Sequence, residues 1–124
     1  VKERILLLRW LAKLLSGYAY MYSDEKQLHD AIALALDQEG ISYEREHIAD
    51  SSNRFDFLVE GDLVIEIKVQ GSLADALRQV TRYCGLEKVK AVLVAATCAW
   101  ARQVSLDDIN GKPVAIAYLR RQAL

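Results

Sequence analysis

The chain is poor in several features that would assign it quickly to a class. It has only two cysteines, Cys84 and Cys98, in 124 residues. They fit neither a metal-ligand nor a redox spacing, which argues against a disulfide, zinc or thiol-redox framework and for a reduced cytosolic setting. One proline, Pro113, and no repeat or low-complexity tract leave no evident linker. One domain with one core is therefore expected. The formal charge of −1 removes any global basic field, so binding to nucleic acid would depend on local patches. No stretch approaches the roughly 20 apolar residues that a membrane span requires. What is present, 52% hydrophobic and 27% charged residues, is the balance of a folded globular domain rather than a disordered one.

The N-terminal segment is the one departure from an even composition. Ile5-Leu6-Leu7-Leu8 is followed by Trp10, Leu11, Leu14 and Leu15, with Lys2, Arg4, Arg9 and Lys13 interspersed. This is the pattern of a basic amphipathic helix. It lacks the small-residue cleavage site of a signal peptide. It either packs on the domain or forms a dimer contact, and a surface or nucleic-acid-facing arm is the rival reading. Val stands at position 1 and Met21 is the only methionine. Residues 1–22 are accordingly expected to be a helical extension to a domain of residues 23–124.

From Ser23 the spacing predicts a helix, with Ser23 as N-cap, Asp24 and Glu25 in the first turn, an apolar stripe of Leu28, Ile32, Ala35 and Leu36, and Gly40 as the stop. Three strand-like runs follow, over 41–48, 54–60 and 63–69. The second places Phe55, Phe57 and Val59 on one face, and the third does the same for Leu63, Ile65, Ile67 and Val69. Glu60-Gly61-Asp62 reads as the hairpin turn between them. Ser72, with Asp75 three residues on, caps a second helix that runs to Gly85. Ala91 to Ala96 is a continuous apolar run suited to a strand buried on both faces. Asp107 and Asp108 fall in a short helical turn or loop, and Pro113 to Leu119 is a last strand. The order α-β-β-β-α-β implies an α/β fold, a mixed sheet flanked by helices.

A hairpin centred on Gly61 sets residues whose numbers sum to 122 opposite one another, which places Asp56 across from Glu66. Like charges on paired strands repel. Strand alternation turns Glu66 and Lys68 to one face, away from Ile65, Ile67 and Val69. Two carboxylates and a lysine thus converge on one patch, where a divalent cation would offset the repulsion. Glu25 shares the inward stripe of the first helix with Leu28 and Ile32. The second helix offers Gln79 and Tyr83 four residues apart on one face, with Arg78 and Arg82 on the adjacent stripe. Each piece has a bland explanation. Acid–x–lysine triplets are common on exposed strands, a surface Glu66–Lys68 pair is worth under about 1 kcal/mol, and Glu25 suits any helix start. His29, Asp30, Glu46 and His47 are read as surface residues as readily as site residues.

Taken together and in order, these segments resemble the PD-(D/E)XK nuclease superfamily, which includes restriction endonucleases, Holliday junction resolvases and recombination exonucleases. The resemblance runs from about Ser23 to Thr97. It covers the Glu25 helix, the "RFDFLV" strand with Asp56, the "VIEIKV" strand with Glu66 and Lys68, and the helix "ALRQVTRYC", whose Gln79 and Tyr83 match the QxxxY motif of the exonuclease-like branch. Phe55 stands where the family name has proline. The resemblance implies a restriction-endonuclease-like core and a Mg²⁺- or Mn²⁺-dependent nuclease. Asp56, Glu66, the Ile67 backbone carbonyl and Glu25 would form the metal site. Lys68 would orient the attacking water, and Gln79 and Tyr83 would steady the site. It further implies DNA as partner, with RNA as the alternative, and the cytoplasm of a bacterium or of a phage's host cell as location. The small size suggests that a homodimer, formed through the N-terminal helix, or a larger complex supplies further surface. The competing expectation is a catalytically inactive nuclease-fold module that binds DNA or serves as a subunit of an assembly.

Overall fold

The computed structural model describes residues 2–103, 105 and 107–122. Helix α1 (Lys2–Ser16) leads into a two-residue strand β1 (Ala19–Tyr20) and helix α2 (Glu25–Gln38). Strands β2 (Tyr43–Ile48), β3 (Arg54–Val59) and β4 (Leu63–Lys68) follow, then helix α3 (Leu73–Cys84) and strand β5 (Ala91–Ala96). A 3₁₀ turn (Ala99–Arg102) precedes the short β6 (Asp108–Ile109), β7 (Lys112–Tyr118) and β8 (Arg120–Arg121). Six strands form one mixed sheet in the order β2-β3-β4-β5-β7-β6. The β2-β3-β4 part is antiparallel, β4, β5 and β7 run parallel, and β6 returns antiparallel. The remaining pair, β1 with β8, is parallel and joins the two ends of the chain.

The helices lie on both faces of the sheet. On one face Leu8, Leu11 and Leu15 of α1 and Leu28, Ile32 and Leu36 of α2 cover the inward residues of the strands. On the other, Val80, Tyr83 and Cys84 of α3 pack on Val64, Val92, Val94 and Val114. The α1 helix is held against β5 and β7. The buried residues of α1, with Tyr20, therefore share one apolar layer with α2 and the sheet. Every residue of β5 is buried, as its unbroken apolar run requires of a parallel strand covered on both faces.

Local chemistry explains most of the boundaries. Ser72 caps α3 by accepting from the Asp75 N–H, and Gly85 ends it. For α2 the cap is Asp24, not Ser23. The Asp24 side chain accepts from the Gln27 N–H, while the Ser23 N–H donates back to the Gln27 side chain. Glu60 and Gly61 both have positive φ, at 50° and 80°, with Asp62 N–H donating to the Val59 carbonyl. This is the two-residue hairpin turn that matches strand twist. Asp107 and Asp108 do not make a helical turn; Asp108 begins β6 and pairs with Pro113.

One expectation fails in an informative way. Phe57 and Val59 pack on the α1/α2 face, but Phe55 packs on the α3 face. The alternation breaks at Asp56. Beside it, Glu46 falls between the registered pairs Arg45↔Phe57 and His47↔Phe55 and has a φ of 51°, in the left-handed region that disfavours a side chain. The ribbon turns over at this point. The Arg45 guanidinium lies over Phe57, whereas His47 stacks on Phe55.

Because α1 belongs to the common core, truncating it should be felt globally. Leu11 is fully buried, and Leu11→Ala should cost about 2–5 kcal/mol in urea unfolding. A loss below about 0.5 kcal/mol would mark α1 as a dispensable appendage.

Candidate active site

The site forms where β3 and β4 part company. Their ladder runs through Val59↔Leu63, Leu58↔Val64 and Phe57↔Ile65, in the register that a turn centred on Gly61 dictates. The next pair would be Asp56 with Glu66, and there side chains replace the backbone ladder. The Ile67 N–H donates to Asp56 Oδ2 at 2.8 Å, and the Asp56 N–H points to Glu66 Oε1 at 3.5 Å. Each carboxylate thus occupies the gap between the strands. In an extended strand the N–H and C=O of one residue project to the same edge, so the Ile67 carbonyl is turned toward this gap as well.

Glu66 is 5% exposed, one of two buried polar or charged side chains among the described residues. It lies on a strand whose other residues, Lys68 apart, are apolar. Lys68, two residues on and on the same face, places Nζ 3.7 Å from Glu66 Oε2. Behind Glu66 stands α3. The Tyr83 hydroxyl is 3.0 Å from the Arg54 carbonyl and 3.5 Å from Glu66 Oε1. It has one proton to give, and the shorter contact assigns that proton to Arg54. Gln79 Nε2 donates to Tyr83 Oη at 2.9 Å. Tyr83 meets Phe55 edge to face with centroids 4.9 Å apart, a contact that exists only because the ribbon turns over at Asp56.

Burial, the Asp56 charge in second place, pushes Glu66 up to about 7, against the opposing pull of Lys68. Burial also raises Asp56, opposed by the Ile67 N–H bond and by the His29 and Lys68 charges. Burial and the two carboxylates raise Tyr83. Two acids pressed together in a partly dry cleft hold more negative charge than their surroundings compensate.

The structure brings Asp56, Glu66, Lys68, Gln79 and Tyr83 into one connected set. Glu25 is exposed at the first turn of α2 and acts on Asp56 through its charge, raising the Asp56 pKa slightly. A shallow cavity of about 290 Å³ lies beside the site, lined by Glu25, Lys26, His29, Arg45 and Glu46. His29, whose Nε2 is buried without a hydrogen-bond partner among the described residues, packs on Phe57. Asp30 instead pairs with Lys26 and Arg45 at the surface. His47 bridges Glu44 and Lys88. Of the two arginines on α3, Arg78 pairs with Asp75. Arg82 donates to Asn53 Oδ1 at 2.7 Å. Asn53, 7% exposed, was not legible as part of this region. It holds the β2–β3 loop through Asp50 and ties it to α3. Both cysteines are free thiols raised by burial, which suits neither to nucleophilic chemistry.

The donors themselves show which ion would fit. Among the described residues no three or more His, Cys, Asp or Glu side chains group closely enough to hold an ion by themselves. Two carboxylates with a strand carbonyl suit a hard cation that completes its shell with water and phosphate oxygen, as Mg²⁺ does. The uncompensated charge on Asp56 and Glu66 is what such an ion would relieve.

The sign of the pH dependence follows. Glu66 holds its proton more tightly folded, near 7, than at its ordinary 4.5. Its contribution to stability is full below about 4.5 and is lost as pH rises through about 7. Metal-free protein should therefore lose on the order of 2 kcal/mol of unfolding free energy from this group between pH 5 and pH 8. Glu66→Gln should remove most of that slope, and added Mg²⁺ should stabilise the wild type more at pH 8 than at pH 5. An unchanged slope in Glu66→Gln would contradict the assignment.

No protein-family model, curated protein or solved structure matches the chain, so the functional reading stands on the chemistry of this cleft.

Proposed function

We propose that the chain is a metal-dependent nuclease that hydrolyses phosphodiester bonds of DNA, on a restriction-endonuclease-like core of the PD-(D/E)XK type. The observation that carries this reading is the parting of β3 from β4, which leaves Asp56, Glu66 and the Ile67 carbonyl edge facing one gap, with Lys68 beside it. A mixed sheet with helices on both faces is compatible with such a core.

Asp56 and Glu66 would hold Mg²⁺ or Mn²⁺ with the Ile67 carbonyl, and Glu25 would join through water. The ion, when bound, supplies Lewis acidity that makes water more acidic and offsets charge on the phosphate. Lys68, whose Nζ lies 3.7 Å from Glu66 Oε2, would orient an attacking water. Gln79 and Tyr83 support Glu66 from behind, as supporting residues do for ligands in metal sites. A nuclease-fold module without catalysis is the second reading, and the formal charge of −1 favours it, since tight binding to phosphate usually calls for excess positive charge. Among the described residues no helix is long and apolar enough to cross a membrane, and the proposed activity belongs in a cytoplasm.

Cleavage of single-stranded, duplex and branched DNA, with RNA alongside, is the test. Activity should require Mg²⁺ or Mn²⁺ and be abolished by EDTA. Lys68→Ala and Asp56→Ala should each lower it by about 10²-fold or more, and Gln79→Ala by about 10-fold. Activity indifferent to Lys68→Ala and Asp56→Ala would refute the mechanism.

A further inference from the structure

The carboxyl ends of the parallel strands carry a second set of groups that the proposed hydrolysis does not use. Lys68, Ala96 and Tyr118 are register partners across β4, β5 and β7. All three face the α3 side. Ala96 belongs to that core and Tyr118 packs against it, while Lys68 alternates with Ile67, which faces the opposite core. Two strand spacings separate Lys68 from Tyr118, about 10 Å between their Cα atoms.

Ala96 leaves the middle of this row low, and the following segment arches over it. The Thr97 N–H donates to the Lys68 carbonyl. Trp100 reaches back so that its Nε1 donates to the Gly71 carbonyl at 3.1 Å. The bond fixes the indole beside the segment that follows β4, packed against the α3-side core, and it remains partly exposed. Arg102, exposed, lies over the Tyr118 ring at 4.7 Å from its centroid, and its Nη2 donates to Tyr118 Oη at 2.6 Å. Among the described ion pairs Arg102 has no carboxylate partner, so its charge is not already neutralised. This edge of the sheet therefore presents the site lysine, an anchored indole, and an arginine stacked on a tyrosine.

Partly exposed aromatic rings interleaved with an unneutralised guanidinium are the groups that hold unpaired bases and their phosphates. An α-helix or strand reading base edges in a duplex groove would instead need a protruding element lined with polar side chains. The span of about 10 Å matches roughly three nucleotides at about 3.4 Å each along a stacked strand. We propose that Trp100, Arg102 and Tyr118 form a binding platform for single-stranded nucleic acid, leading an unpaired strand to the gap at Asp56 and Glu66. As a statement about substrate class this rests on the nuclease reading; as a binding surface it can be tested without it.

Fluorescence anisotropy of a labelled 12-nucleotide oligo-dT, in EDTA so that no cleavage occurs, gives the binding readout. The same variants are then assayed for cleavage in Mg²⁺. Wild type should bind oligo-dT more tightly than a duplex of equal length. Trp100→Leu and Tyr118→Leu should each weaken binding about tenfold, whereas Trp100→Phe and Tyr118→Phe, which keep a ring, should stay within about threefold of wild type. Arg102→Ala should also flatten the dependence of affinity on salt, by about 0.7 in the log–log slope for one phosphate contact. Circular dichroism of each variant separates a lost platform from a lost fold. Oligo-dT binding that the leucine and alanine variants do not weaken, duplex preferred over single strand, or no binding by wild type would each overturn the platform. The nuclease reading is judged separately by Asp56→Asn, which should bind oligo-dT at least as well as wild type in EDTA and cleave nothing in Mg²⁺. Ring-dependent binding without any cleavage by wild type would leave the platform standing and remove the nuclease.

Discussion

Two carboxylates held in the gap between β3 and β4 are the constraint to which the surrounding fold answers. An acid as closed off as Glu66 is costly unless hydrogen-bonded or paired. The chain meets part of that cost with the Asp56 N–H and Lys68. Asp56 is met from the other strand by the Ile67 N–H. What is left over appears as the raised pKa of both acids, and a divalent cation would relieve this residual charge. Without such an ion the same groups would be a net liability to folding at neutral pH.

The left-handed Glu46 is the structural device that makes this arrangement possible. By turning the β2–β3 ribbon over beside Asp56, it sends Phe55 to the α3 face, where the ring packs on Tyr83 and stacks with His47. Phe57 stays on the α1/α2 face against His29 and Tyr43. Asp56 sits at the crossover and feels the charges of His29 and Glu25 of α2 and of Lys68 of β4, with its N–H aimed at Glu66. Backbone strain at a non-glycine residue beside a buried and a half-buried acid is the kind of local cost that is maintained where geometry matters to function.

Much of this was legible in the sequence, for reasons that can be named. Gly61 after Glu60 set the hairpin, and the hairpin set the register of Asp56 against Glu66. Period-two alternation then placed Glu66 and Lys68 together, and the four-residue spacing placed Gln79 with Tyr83. These are local rules acting over a few residues. What was missed depends on partners distant in the chain or on backbone torsion. Nothing in "YEREHI" announces that Glu46 adopts positive φ, so Phe55 was expected beside Phe57. The amphipathic pattern of residues 2–16 was plain, but the pattern does not name β5 and β7 as the surface it covers. The parallel pairing of Ala19–Tyr20 with Arg120–Arg121 joins segments a hundred residues apart, and two-residue strands leave no periodic trace. The Trp100–Gly71 and Arg102–Tyr118 contacts escaped notice for the same reason.

We propose that Asp56 and Glu66 together bind a divalent cation. Calorimetric titration with Mn²⁺ at pH 6.5, repeated in buffers of different ionisation enthalpy, tests it most directly. Burial and the Asp56 charge raise Glu66 to about 7, so near this pH binding should be saturable and should release protons, read from the buffer dependence of the heat. Glu66→Gln should abolish the proton release and weaken binding, and Asp56→Asn should weaken binding. Saturable binding that survives unchanged in both variants, or no binding by the wild type, would contradict the account.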